Sequence, residues 1–554
     1  MKKAIKHAFI SVFHKENGLD LIVKKLDELG VSISSTGGTA DFIQSLGIPV
    51  IKAETITGYP SILGGRVKTL HPKIMGGILA RRDNLQDIAQ LEQYQIPQID
   101  LIIVDLYPFE QTVASGASHD EIVEKIDIGG ISLIRAAAKN YNDVSIVASM
   151  DQYPVLLNIL QKQGAEITEE QRYEFATEAF VTASVYDLAI AMYFGQGDYY
   201  GIIGKKVRDL RYGENPWQKS YGLFKTFGGG DDPLALCNFQ VIAGQFGHVN
   251  WLDLDRMLQT MTHIMAGYHK NNLWKNMHQL NPGQSPYVAI GAKHGNPCGA
   301  SISSTPERAL MDMLDGNLTS IFGGAIMTNF VITQYLAEII RNYHSEKTKR
   351  ILDVVVAPGI DEEAKQLLRR KNDSCKMAIK PALLDLDIDC LDKEPIFRKV
   401  RGSELVQQNY DLILDLEADY ISKYGITKMP SGQDLVNLVL AWAVCATSNS
   451  NTIVLVKDKM LIGAGVGQMD RLECCDLAVR RAHNAGHDIL GSVACSDSFF
   501  PFSDGPAKLI DAGVEAIFTT SGSVKDQDTI DLCSERNVPL LMIPNSLGRM
   551  FFGH

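Results

Sequence analysis

No cysteine occurs before Cys237, and the 9 that the chain carries include no CxxC pair and no His-rich partner spacing. That pattern argues against a disulfide framework and against a zinc site, and it fits the reduced thiols of a cytosolic protein. Positive charge is also short: 53 Lys and Arg stand against 65 Asp and Glu, a net charge of -12. A broad nucleic-acid or anionic-membrane surface would need the opposite balance, so neither partner is expected, and any anionic ligand must be small and locally held. Long hydrophobic runs are missing too. The longest, residues 435–446, is interrupted by Asn437 and falls well below the roughly 20 residues of a membrane helix. Lys2, Lys3 and Lys6 precede only a short strand-like run at 7–13, without the apolar region and cleavage site of a signal peptide, so a cytoplasmic location is expected. What is present is an ordinary globular composition, 45% hydrophobic over 554 residues, enough for two to four domains.

The first ~150 residues alternate apolar runs with helical periodicity, the signature of a parallel sheet between helices. Residues 8–12 read as a strand. Leu19, Ile22, Val23, Leu26 and Leu29 follow at helical spacing and Gly30 stops the helix; residues 31–35 form the next strand. The runs at 101–104 and 144–147 are continuously apolar, as strands buried on both faces are. Thr168 and Gln171 fit a capping box at the head of a long helix reaching Phe194. The Gly-rich, charged passage after it sets the expected boundary, with one domain over 1–200 and a second over 201–554. The second is also α/β, with strands at 287–292 and 452–456. It has no clean repeat, although polar motifs near Lys293 and Asn449 occupy comparable places in its two halves. Residues 228–230 and 281–285 bracket an apparent helical insertion.

Ser34-Ser35-Thr36-Gly37-Gly38-Thr39 lies between strand and helix, where backbone N–H groups and hydroxyls can cradle a phosphate; the same letters also make ordinary tight turns. Gly64-Gly65-Arg66-Val67-Lys68-Thr69-Leu70-His71-Pro72 sets two cations on one side of an extended segment. Asp105-Leu106-Tyr107-Pro108-Phe109 and Asp127-Ile128-Gly129-Gly130 follow, the first at a strand's carboxyl end, where doubly wound sheets bind ligands. Together these motifs resemble the IMP cyclohydrolase domain, whose fold is similar to methylglyoxal synthase. The resemblance implies closure of the purine ring of formyl-AICAR with loss of water, without metal or redox cofactor. It assigns catalysis to Lys68, Tyr107, Asp127 and Lys139, and nucleotide binding to Ser11, Lys15, Ser35, Gly37, Gly38, Thr39, Arg66 and Thr69. Where the family usually reads SVSDKTGL, this chain has Ser11-Val12-Phe13-His14-Lys15-Glu16-Asn17-Gly18, and Asp105 stands where Asn is frequent.

In the second part, Lys293-His294 ends an apolar strand before small turn residues that admit a ligand, and the neighbouring cation favours a neutral His294 base. Leu210-Arg211-Tyr212-Gly213-Glu214-Asn215-Pro216, Ser320-Ile321-Phe322-Gly323-Gly324, Ser448-Asn449-Ser450, Gly463-Ala464-Gly465 with Arg471, and the run from Ser496 through Phe499 and Phe502 to Asp504 stand in the order of AICAR transformylase. That resemblance implies paired cytidine-deaminase-like folds without zinc, consistent with the lack of a second Cys three residues after Cys298. It further implies formyl transfer from 10-formyltetrahydrofolate to AICAR, with His294 as proton-transfer residue, Lys293 as its electrostatic partner and Asn449 as a polar positioner. Substrate contacts fall to Arg211, Tyr212, Gly323, Arg471, Phe499, Phe502, Asp504 and Arg549. The family is homodimeric, and a structural potassium is compatible with it. The ending Arg549-Met550-Phe551-Phe552-Gly553-His554 is one residue longer than the common Arg-x-Phe-x-His. Three readings compete with the bifunctional one: a transformylase with an inactive first domain, a non-catalytic purine-nucleotide-binding protein, and a nucleoside deaminase.

Overall fold

The computed structural model describes residues 2–227, 232–277, 280–281, 284–345, 349–424, 430 and 432–553, so residues 228–230 of the expected insertion and His554 lie outside the described residues. The chain divides into two compact units, Met1–Lys205 with Thr226–Gly228 and Lys206–Lys225 with Gly229–His554.

In the first unit five parallel strands, β1 (His7–Ser11), β2 (Ser32–Ser35), β3 (Ile51–Lys52), β4 (Leu101–Val104) and β5 (Ser145–Val147), lie in the order β3-β2-β1-β4-β5. Leu101, Ile102, Ile103 and Val104 are all buried, which explains the unbroken apolar run: helices cover both faces. Helix Leu19–Glu28 packs with Tyr153–Gln163, while Gly129–Lys139 packs with Pro72–Leu79 and Glu169–Gly195, giving a three-layer α/β/α unit. Gly18 and Gly30 flank the first helix at φ of 94° and 71°, backbone that favours glycine.

The Thr168–Gln171 capping box forms as expected. The helix it heads, Glu169–Gly195, corrects the reading of hydrophobic runs: it is long and apolar enough to cross a membrane, and 22% of its apolar window is buried. Arg172, Phe175, Ala176, Ala179 and Ala183 face inward, while Phe180, Met192 and Phe194 are exposed.

The second unit is built on one 12-stranded sheet. Its strands are β6 (Gln240–Ala243), β7 (Tyr287–Lys293), β8 (Asn296–Ser303), β9 (Ala325–Thr328), β10 (Val354–Ala357), β11 (Lys376–Ile379), β12 (Ser422–Tyr424), β13 (Thr452–Lys457), β14 (Met460–Val466), β15 (Ser492–Ser496), β16 (Val514–Ser521) and β17 (Leu540–Pro544). The order β6-β11-β10-β9-β7-β8-β14-β13-β15-β16-β17-β12 is two copies of one pattern, each a hairpin followed by three mutually parallel strands, joined where β8 meets β14 antiparallel. The two halves repeat in topology rather than in sequence. Helices His248–Lys270 and Gln433–Ala446 pack together within the central core, and each half carries a further apolar cluster with its own helices. Gly299 and Gly463 are equivalent in the two hairpins, and a Cβ on either would strike the carbonyl of Met313 or Ala478 on the covering helix.

The antiparallel meeting of the hairpins also revises the expected placement of Lys293 and Asn449. Lys293 ends the first strand of its hairpin, whereas Asn449 precedes the first strand of the other, so the two are not topological equivalents. Inverting one hairpin relative to the other nevertheless brings them to the same sheet end.

Candidate functional sites

At the carboxyl ends of β1, β2 and β4, hydroxyls tie the turns together. Ser35 Oγ donates to the Ile10 carbonyl at 2.6 Å, Thr39 Oγ1 to the Val12 carbonyl at 2.9 Å, and Ser11 Oγ lies 2.9 Å from Thr36 Oγ1. Thr36 caps helix Gly37–Ser45 without a side-chain hydrogen bond. Among the described residues the first N–H groups of that helix have no side-chain acceptor, as an anion site requires. Lys68 belongs to this turn: Cβ atoms on Gly37 and Gly65 would lie 3.7 and 3.0 Å from its Nζ. Among the described residues it makes no ion pair. Arg66, by contrast, is exposed and bonded to Glu124, and Lys15 Nζ donates to the Phe13 carbonyl at 3.1 Å.

Asp127 Oδ1 takes the Gly130 N–H at 2.6 Å at the start of helix Gly129–Lys139, and the Asp127 N–H donates to Tyr186 at 2.8 Å. Burial pushes the Asp127 carboxyl above its usual range, a rise that the Gly130 N–H partly offsets. Tyr107 is raised as well, by burial and then by Asp127. A Cβ on Gly129 would lie 3.1 Å from Thr69 Oγ1, so Lys68-Thr69 and the Asp127 turn are neighbours. Lys139 does not join them: it ends the same helix, about 15 Å along the axis, at the far end of the sheet. Sequence spacing alone does not distinguish the two ends of a helix that runs back along a strand.

In the second unit, Lys293 and His294 line a cavity of about 390 Å³ with Asn296, Asn317, Ser320 and Arg481. Lys293 Nζ donates to the Phe322 carbonyl at 2.7 Å, next to Gly323, whose φ is 72°. His294 has a φ of 54°, and the following Gly295 N–H is held by Asp253 Oδ1 at 2.7 Å, so a buried carboxylate fixes the turn that presents the imidazole. Burial holds the Asp253 carboxyl above its ordinary range, opposed by that N–H and by His294. Asn296 Oδ1 takes the Asn449 N–H at 3.0 Å, the bond that joins the two halves here. Arg256, three residues after Asp253 on one helix face, donates to the Thr447 carbonyl and stacks over Phe552 at 3.8 Å. Burial draws Arg256 down to about 10 and pushes its neighbour Asp255 up to about 6. Neither Asp253 nor Arg256 was among the expected site residues, although their three-residue spacing on a helix was readable. The longer C-terminus seats Phe552 beside Asn449, and its carbonyl accepts from the Ser450 N–H at 3.2 Å.

Arg471, expected among the substrate contacts, is instead buried: its guanidinium donates to Asp497 at 2.5 Å, Ser496 at 2.8 Å and Asn451 at 2.6 Å. Arg471→Met leaves Asp497 charged without its partner and is expected to cost about 3–5 kcal/mol, read as a lower thermal midpoint; an unchanged midpoint would show that the pair adds nothing. The aromatic run splits, with Phe500 in the core, Phe499 half-buried and Phe502 exposed. Asp504 opens helix Asp504–Asp511. Arg211 lies exposed over the Tyr212 ring at 5.8 Å, and Arg549 over Phe551 at 4.9 Å, its Nε 3.2 Å from Asn545 Oδ1.

Comparison with known proteins finds relatives along almost the whole chain. The AICARFT/IMPCHase bienzyme family matches residues 137–481 and the MGS-like domain family residues 18–132. The bifunctional purine biosynthesis protein PurH of Bacteroides thetaiotaomicron is 42% identical over 542 residues, covering 97% of both chains. PurH of Synechocystis sp. is 35% identical over 96% of this chain and 98% of its own. The crystal structure of ForH, 32% identical, covers 35% of this chain and 99% of its own with a TM-score of 0.31. Matched along almost its whole length, the chain belongs to the AICARFT/IMPCHase bienzyme family.

Proposed function

We propose that the Lys293–His294 cavity transfers a formyl group to AICAR and that the strand ends around Lys68 and Asp127 close the product to IMP, the two activities that family membership gives this purine-biosynthesis enzyme. The observation that carries the first assignment is the Asp253–Gly295 bond, which fixes an exposed imidazole at the mouth of a polar cavity. The formyl donor is a folate, assigned here as 10-formyltetrahydrofolate. The 5-amino group of AICAR is a weak nucleophile, its lone pair drawn into the imidazole and carboxamide. His294 takes the amine proton as nitrogen attacks the formyl carbon, Lys293 stabilises the oxyanion and Asn449 orients the pair. Arg211, Tyr212, Gly323, Phe499, Phe502, Asp504 and Arg549 hold nucleotide or folate. The formyl carbon keeps its oxidation state throughout, so no redox cofactor is assigned.

In ring closure the nucleotide is held by Ser11, Lys15, Ser35, Gly37, Gly38, Thr39, Arg66 and Thr69. Lys68 polarises the formyl oxygen, and Tyr107 and Asp127 manage the amide proton. A contribution from Lys139 requires a second copy of the chain. We assign a homodimer, to which the exposed Phe180, Met192 and Phe194 offer an apolar face, and a cytoplasmic location.

A structural potassium belongs to this reading. Among the described residues Asp497 Oδ2 and Ser450 Oγ are buried without hydrogen-bond partners, and each is the kind of oxygen that a monovalent cation takes as a ligand. Exchanging potassium for tetramethylammonium is expected to lower the thermal midpoint; equal midpoints would remove the ion. Both site assignments are tested by giving the purified enzyme AICAR and the folate donor, then formyl-AICAR alone, and comparing Lys293, His294 and Lys68 variants in each reaction.

A further inference from the structure

His14 and Asp105 each depart from the family's usual letters, and the fold joins them across 91 residues. Asp105, just past β4, accepts the N–H groups of Phe13 and His14, the latter at 3.0 Å, and lies 2.6 Å from His14 Nδ1. Its carboxylate is 7% exposed and the imidazole 26%. Among the described residues Nε2 has no partner. A carboxylate that holds Nδ1–H fixes the tautomer and leaves Nε2 to take or give a proton. The pair stands beside the closure residues. Phe13 meets His14 edge-on at 4.9 Å and Tyr107 at 5.4 Å, and Lys125 Nζ lies 5.2 Å from the Phe13 ring and 5.9 Å from the Tyr107 ring. Charged or titratable groups around the imidazole are thus Asp105 beneath it, Lys15 and Glu16 on its own loop, and Tyr107 and Lys125 from neighbouring segments.

We propose that His14, oriented by Asp105, is a proton-transfer residue for ring closure, a role that rests on placing closure at this strand end. As the carboxamide nitrogen bonds to the formyl carbon, the formyl C–O bond must finally break. The oxygen leaves as water with two protons, one from the carboxamide nitrogen and one from the formamide nitrogen. His14 Nε2 gives a proton to the departing oxygen and regains one released from these nitrogens, so the imidazole ends each turnover unchanged.

The test uses the full-length enzyme supplied with formyl-AICAR across about pH 5 to about 8, the range in which a free imidazole changes charge. In His14→Asn the amide still donates to Asp105 but carries no transferable imidazole proton. The expected result is a kcat lower by roughly 10²-fold with KM unchanged, and loss of one limb of the pH–rate profile. Asp105→Asn is expected to lower kcat as well, because the tautomer is no longer fixed. Should His14→Asn fail to fold, His14→Gln keeps an amide donor and carries the test. A His14→Asn enzyme with unaltered kcat and pH profile, measured where Lys68→Ala is strongly slowed, overturns the proposal. If Lys68→Ala closes the ring at the wild-type rate, the placement of closure fails and the proposal with it.

Discussion

His294→Ala is expected to lower kcat for formyl transfer by roughly 10²–10⁴-fold while the enzyme still converts supplied formyl-AICAR to IMP. The expectation follows from the turn rather than from the residue type alone. At a φ of 54° the imidazole is presented by a left-handed backbone position, held from below by Asp253 through Gly295. An Asp253→Ala variant should therefore imitate part of the loss with His294 intact, since the turn would be free to relax. The measurement is tetrahydrofolate release under saturating AICAR. Wild-type release by His294→Ala would remove that residue from catalysis.

Lys68→Ala is expected to lower kcat/KM for ring closure by roughly 10²–10³-fold and leave transfer running, so that formyl-AICAR accumulates. Its ammonium approaches the Gly37 turn, and the glycine at 65 leaves the space its side chain occupies. Because that passage is narrow, Lys68→Arg is expected to restore little: the wider guanidinium does not fit where a compact ammonium does. Unchanged closure in Lys68→Ala would break the assignment, as would full recovery in Lys68→Arg without movement of the turn.

Much of the first unit was legible because its signals are local. Leu101 to Val104 read as a doubly buried strand and are one, and the Thr168–Gln171 capping box formed three residues apart as written. What sequence missed depends on distant segments meeting. His14 and Asp105 looked like two separate departures and proved to be one hydrogen-bonded pair. Lys293 and Asn449 looked equivalent and are not; they converge because one hairpin is inverted against the other. Arg471 carried a motif's cation, but nothing nearby in sequence announced the buried Asp497 that takes its guanidinium. Lys139 fell at the wrong end of a helix whose direction the sequence did not state. Phe500 and Phe502, two residues apart around a proline, went to core and solvent respectively.

The central claim, two complementary sites on one chain, is tested most directly by incubating the purified enzyme with AICAR and 10-formyltetrahydrofolate, identifying the nucleotide by mass spectrometry against an enzyme-free formyl-AICAR control. IMP formed in step with tetrahydrofolate, with the control unconverted, is the result predicted. Formyl-AICAR accumulating without IMP, or no folate turnover, would contradict it.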